Sequence, residues 1–290
     1  MSMNEGAGRV AGNTDSIFLD HLVDGLVSID GIRAIVLGGS RALGTHTAKS
    51  DYDLGLYYDP AAPLDLVALQ RLAAEIDDRQ GKDLITPIGA WGPWINGGGW
   101  LMVQGIAVDL LYRDLDRVSQ VVTDCGSGRL KIHYQPGHPH GFATHIYMGE
   151  VAICRVLWDP MGEVTKLKAR TAPYPAPLRQ AVLDTFLWEA RFSVDIARKG
   201  VARRDISYVA GCCYRCVACL LQVLFALNER YLINEKGALA SASAFSITPP
   251  NLKRRVEQVF GFLGSGINAL QSAVAHLDPL VGEVEALSQP

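Results

Sequence analysis

Gly38-Gly39-Ser40-Arg41-Ala42-Leu43-Gly44, followed by Ser50-Asp51-Tyr52-Asp53-Leu54, is the stretch on which the fold turns. Just before it, Ile32 to Leu37 is apolar apart from Arg33 and reads as a short buried strand. Gly38 and Gly39 end that strand in a tight turn that lets another backbone or a phosphate come close. Ser40 stands where a helix over 41–48 begins. Backbone N–H groups at a helix start are unpaired and bind anions, and the Ser40 hydroxyl adds a donor. Asp51 and Asp53 lead into a second strand over 52–58. Residues two apart on a strand share a face, so both carboxylates project side by side and Tyr52 points away. Adjacent anions repel unless a cation lies between them, and magnesium is the usual one, held by carboxylates and substrate phosphates together.

A two-metal site usually needs a third carboxylate. Asp109 supplies it, in the middle of the apolar strand-like run Gly105-Ile106-Ala107-Val108-Asp109-Leu110-Leu111-Tyr112. A carboxylate buried within a strand needs a partner, and a metal shared with Asp51 and Asp53 meets that need. A glycine-serine turn, an Asp-x-Asp and a later single Asp on a strand together resemble the DNA polymerase β-like nucleotidyltransferase superfamily. Gly38, Gly39, Ser40, Asp51, Asp53 and Asp109 match that pattern one by one, with Ser50 and Leu54 flanking the Asp pair. The match covers about residues 30 to 115.

The resemblance implies two magnesium ions held by the catalytic residues Asp51, Asp53 and Asp109. It implies a nucleotide bound at Gly38, Gly39, Ser40, Arg41 and Ser50, and an acceptor hydroxyl that attacks the α-phosphate in line as pyrophosphate leaves. Asp109 is also placed to help deprotonate that hydroxyl. No separate general base is assigned; Glu150, Glu163 and Glu189 qualify by residue type only.

Composition narrows the partners. The chain has 290 residues, 49% of them hydrophobic, enough for a sizeable core and for two domains. A net charge of −3 and the absence of a long basic run argue against a nucleic-acid partner. The longest greasy stretch, Val217 to Leu227, is too short to span a bilayer and contains Gln222. The polar, glycine-containing start lacks the apolar core of a signal peptide, so residues 1–15 read as disordered and the compartment as the cytoplasm.

Three further clusters invite function. Cys212, Cys213, Cys216 and Cys219 fit a zinc or iron–sulfur site, or small residues packed in a buried helix; the lack of a turn among them favours the core. His138, His140 and His145 cluster in a way that fits a zinc site, but Gln135-Pro136-Gly137-His138-Pro139 reads as a loop, which carries histidines into solvent or toward a substrate. Trp91, Trp94 and Trp100 sit among glycines just before the Asp109 strand, placed to stack on a base or sugar or to cap the open sheet edge.

The first half reads as strands over 32–37, 52–58, 83–88, 100–104 and 107–112, with helices over 41–48, 64–78 and 115–124. After a glycine- and proline-rich connection, the second half reads as helices over 142–157, 177–199, 205–228, 234–241, 250–262 and 267–287, with no strand of note. The predicted fold is α+β: a small mixed-sheet nucleotidyltransferase domain over 16–130, then an all-α helical bundle over 141–290. That arrangement resembles antibiotic-type, small-molecule nucleotidyltransferases. The resemblance implies AMP transfer from ATP, or NMP from another NTP, to a small-molecule hydroxyl, with Lys236 reaching the γ-phosphate from the polar turn Asn234-Glu235-Lys236. The alternatives are a nucleotide-binding or toxin–antitoxin type protein acting on a protein partner, and an interaction protein whose helical half carries the function.

Overall fold

The alternation read from Ile32 to Tyr58 and from Ile106 to Asp114 folds as one mixed sheet in a computed structural model, which describes the backbone over residues 6–289 and side chains from Ser16 on. In chain order the elements begin with α1 (Gly6–Leu26), β1 (Ile32–Leu37), α2 (Gly39–Leu43), β2 (Tyr52–Tyr58), α3 (Leu66–Ile76), α4 (Gly92–Ile95), β3 (Gly98–Val103), β4 (Ile106–Asp114) and α5 (Leu115–Gly126). There follow β5 (Ile132–His133), β6 (Phe142–Ala143), α6 (His145–Ile153), β7 (Arg155–Trp158) and α7 (Glu163–Ala169). The chain closes with α8 (Ala176–Ala202), α9 (Ile206–Leu227), α10 (Ala238–Ser243), α11 (Leu252–Gly261) and α12 (Ile267–Leu287). The fold is α+β, with a five-stranded sheet and a helical C-terminal region.

The chain divides into two compact units. One runs up to Gln120 and takes in Glu150–Arg170; the other comprises Val121–Gly149 and the segment from Thr171 onward. The first holds the sheet, in the order β3-β4-β2-β1-β7. β2 pairs parallel with β4 and antiparallel with β1, while β3 pairs antiparallel with β4 and β7 antiparallel with β1. Tyr52, Leu54 and Leu56 of β2 and Val108, Leu110 and Tyr112 of β4 are buried in a core shared with Phe18, Leu19, Leu22 and Leu26 of α1 and Leu69 of α3. Asp65 caps α3, accepting from the Val67 and Ala68 N–H groups at 3.0 and 2.9 Å. The alternate residues Asp53, Gly55, Asp109 and Leu111 lie on the other face, only half-buried.

Several sequence expectations are corrected. The helix expected over 41–48 is a single turn, ended at Gly44 in a left-handed conformation (φ +69°). Residues 83–88 do not form a strand and make only the isolated bridge Ile85–Gly99. The helix expected over 142–157 is split. Its middle is α6, its ends are β6 and β7, and β7 becomes the sheet's edge beside β1. A short apolar run cannot be told from a helix segment by periodicity alone, and here edge pairing to β1 decides. Residues 1–5 lie outside the described residues. From Gly6 the backbone is already helical: once the apolar half of α1 is docked, extending the helix backward is easy.

In the second unit α8 and α9 form its central helix pair. Fifteen residues of α9, from Val209 to Leu227, are buried. Among the described residues α9 is the one helix long and apolar enough to cross a membrane, and 72% of its most apolar window is buried within the protein. It is a core helix by that measure.

Candidate active site

The glycine turn, both strand carboxylates and an exposed tryptophan fall on one row across the sheet. Gly38 donates its N–H to the Asp53 carbonyl at 2.8 Å. Asp53 is the register partner of Asp109 on the neighbouring parallel strand, and Asp109 is the register partner of Trp100 on β3. Paired strands lie about 4.8 Å apart, so Asp53 and Asp109 stand as immediate neighbours on the same face.

The turn is shaped around the acid. Gly39 has φ +59°, and a Cβ there would sit 1.8 Å from Asp53 Oδ2. Only glycine allows both the backbone angle and this approach. Arg41 ties the turn to the loop that carries the acids: its Nε and Nη2 donate to the Ser50 carbonyl at 3.1 and 2.8 Å, and its Nε also reaches the Asp51 carbonyl at 3.2 Å. Its guanidinium lies 3.7 Å from the centroid of the Tyr52 ring. The Ser50 hydroxyl accepts from the Thr47 N–H at 3.0 Å, closing the same loop. Both residues are thus seen holding the acidic loop against the turn.

The electrostatics are those of an incomplete site. Partial burial, then Asp53, then Asp51, push the Asp109 carboxyl up to about 6. No cation is paired with Asp109 among the described residues. Three carboxylates form an all-oxygen donor set, which suits a hard divalent cation, and such a cation reverses the repulsion that raises Asp109. Among the described residues no three His, Cys, Asp or Glu side chains are already gathered at metal-binding distances. Asp53 and Asp109 are paired by the sheet, whereas Asp51 precedes β2 and is exposed. The donors fit the ion in kind, with Asp51 standing outside the strand pair that holds the other two.

The general-base candidates are otherwise engaged. Glu150 takes a two-pronged ion pair from Arg113 (both contacts 2.8 Å), Glu163 one from Arg33 and Glu189 one from Arg215. Lys236 lies on an exposed turn of the second unit, its backbone N–H bonded to Asn234 Oδ1 at 2.8 Å.

The glycine-rich tryptophan segment is firmly framed. Thr86 Oγ1 donates to the Gly98 carbonyl and accepts from its N–H, and buried Asn96 bonds Tyr58 Oη and the Gly89 N–H. A cavity of about 440 Å³ lined by Leu19, Val23, Arg41, Tyr52, Arg155 and Leu157 lies at the α1 side of the unit rather than at the acids.

The second unit carries its own polar centre. Glu235 accepts the His140 N–H at 3.2 Å and faces His138 Nδ1 at 3.4 Å. His145 is fully buried against Gln222 (3.0 Å), and burial pushes its imidazole down to about 4. The four clustered cysteines all lie buried in α9, where desolvation raises every thiol above its usual range. In those surroundings they pack as small apolar residues of the helix core.

Comparison with known proteins agrees with the geometry. A family model described as "Nucleotidyltransferase domain" matches residues 19–88, the span from α1 through the glycine turn and the Asp pair. Over residues 19–88 the chain thus carries a nucleotidyltransferase domain of the DNA polymerase β-like type. A domain of this kind supports enzymatic transfer of nucleoside monophosphate groups in general. A second family model, described as "Domain of unknown function (DUF4037)", matches residues 145–236. The chain is also similar to a solved nucleotidyltransferase-like protein from Exiguobacterium sibiricum 255-15, at 11% identity and a TM-score of 0.44, over 87% of this chain and 69% of that one. No curated protein matches the chain in sequence.

Proposed function

We propose that this protein is a cytoplasmic, magnesium-dependent enzyme that transfers AMP from ATP to a hydroxyl of a small-molecule acceptor and releases pyrophosphate. The observation that carries the reading is the pairing of Asp53 with Asp109 beside the Gly38-Gly39 turn. Two magnesium ions held by Asp51, Asp53 and Asp109 would neutralise the triphosphate and polarise the α-phosphate. The chain's own part is positioning. Backbone N–H groups of the turn and the Ser40 hydroxyl hold the phosphates. Arg41 and Ser50 keep the acidic loop against them. The acceptor oxygen bonds to the α-phosphorus, the bond from that phosphorus to the bridging oxygen breaks, and the acceptor proton is lost to a carboxylate or to water. Lys236 is the proposed contact to the γ-phosphate. The choice of adenine and of a small acceptor follows the resemblance to antibiotic-type enzymes.

The test is a thermal unfolding series with each of the four NTPs, with and without magnesium, on the wild type and on Asp53→Asn. A ligand at a hundred times its Kd adds about 2.7 kcal/mol. The expected result is a magnesium-dependent rise with ATP above the other NTPs, abolished in the variant. No shift with any nucleotide overturns the reading.

A further inference from the structure

Trp100 is 59% exposed, on a sheet face where a large aromatic gains nothing from solvent. It is not a stray surface residue. It sits directly opposite Asp109 in the antiparallel β3–β4 pair, and opposed residues share a face with Cα atoms about 5 Å apart. Trp91 stacks on it, ring centroids 4.3 Å apart and planes within 21°. Trp91 is seated in turn by glycine: a Cβ at Gly98 would meet the Trp91 ring at 3.0 Å and the Leu110 carbonyl at 1.8 Å. Gly99 likewise has no room for a side chain beside the Leu84 carbonyl. β3 is itself fixed, because buried Asp77 accepts the Met102 N–H at 2.7 Å and Arg79 donates to the Trp100 carbonyl at 2.7 Å. The result is a double-tryptophan step held rigidly one strand away from the acids.

The order along the row gives this step a direction. In an in-line displacement the attacking and leaving oxygens lie on opposite sides of the phosphorus. With the departing pyrophosphate at the Gly38-Gly39-Ser40 end, beyond β1, the incoming hydroxyl must come from the far side of Asp53 and Asp109. Trp100 stands on that side. We propose that Trp100, backed by Trp91, is the platform for the acceptor, and that the acceptor is a hydroxyl-bearing ring with a flat uncharged face, an aromatic ring or the C–H face of a sugar. Stacking on Trp100 holds such a ring with an edge hydroxyl over Asp109. An open-chain alcohol has no face to offer. This assignment rests on the nucleotidyl-transfer reading for the direction of attack, but the platform itself does not.

The experiment is a binding titration on the full chain, followed by tryptophan fluorescence and saturation-transfer NMR, with magnesium and a non-hydrolysable ATP analogue present. The ring probes are phenyl β-glucoside, methyl α-glucoside and phenol; glycerol is the open-chain control. Saturable binding of at least one ring probe and none of glycerol is expected. Trp100→Ala weakens the ring probe about tenfold or more, as loss of one stacking contact does, while Trp100→Phe stays within about threefold. Both variants should keep the wild-type magnesium–nucleotide thermal shift. Ring binding unchanged in Trp100→Ala overturns the proposal, as does no binding of any ring probe. Loss of the nucleotide shift in Trp100→Ala makes the platform a nucleobase site and also overturns it. Absence of any nucleotide shift in the wild type, with Trp100-dependent ring binding intact, instead counts against the transfer reading alone.

Discussion

The acid row of the first unit and the α8–α12 bundle of the second treat charge in opposite ways. In the bundle the arginines facing other helices are paired: Arg191 with Glu285 and Asp278, Arg215 with Glu189, Arg255 with Glu283. On the sheet, Asp109 faces two further carboxylates, and its proton affinity rises accordingly. Folding neutralises charges whose purpose is structural, because an unmatched buried charge is expensive. Where like charges are left together, something outside the chain is expected to complete them. The contrast separates a scaffold from a site without reference to any relative.

The sharpest way to break that contrast is to neutralise each kind of charge. Asp53→Asn should lower nucleotidyl transfer about a thousandfold, the loss of several kcal/mol of transition-state stabilisation, read as pyrophosphate release. Asp109→Asn should do the same and yet leave the metal-free protein at least as stable at pH 7. A carboxyl raised to about 6 binds its proton more tightly folded than unfolded, so its charged form opposes folding above that pH. A marked fall in melting temperature in Asp109→Asn would show a structural role. Arg215→Ala should behave inversely. Its pair with Glu189 is only about a quarter exposed, and breaking it should cost about 3 kcal/mol by chemical denaturation. Equal stability would remove the scaffold half of the comparison.

A further prediction sharpens the bundle's character through pH. His145 is fully buried and held neutral, its pKa lowered to about 4 by desolvation. A depressed folded value means the unfolded chain binds the extra proton. Stability from this group is therefore full above 6.5 and is lost as pH falls toward 4. Between pH 7 and 5 the loss should be about 2 kcal/mol, and His145→Asn should flatten that slope in denaturant titrations. Next comes Gly39→Ala, with a strain of about 1–3 kcal/mol from its positive φ and a displaced Asp53 carboxylate. Nucleotide-dependent stabilisation should fall more than the melting temperature does. Smallest of all, a zinc or iron chelator should leave the melting temperature unchanged, since the α9 cysteines are buried thiols. A drop would reopen the metal reading of that cluster.

Legibility in the sequence followed the range of the interactions. β1, β2 and β4 are local: alternation and turn glycines set them, and the spacing of Asp51 and Asp53 put two acids beside one turn. Long amphipathic helices such as α8 and α12 also announced themselves by period. β7 did not, because four residues become a strand only when β1 offers an edge. Nor did the commitment of Glu150, Glu163 and Glu189 to arginines 26 to 130 residues away. The Trp91–Trp100 stack was visible only as composition, since its geometry depends on cross-strand register.

By itself the sequence determined the chemistry on offer: a phosphate-sized glycine turn, three carboxylates with oxygen donors for a hard metal, and an apolar second half that must bury itself as helices. Residue type and local period carry that information, because each depends on neighbours within a turn or a strand. Only the tertiary structure decided the row. Register between β2, β4 and β3 placed Asp53, Asp109 and Trp100 side by side, and a one-residue slip in either pairing would have turned a functional side chain to the opposite face.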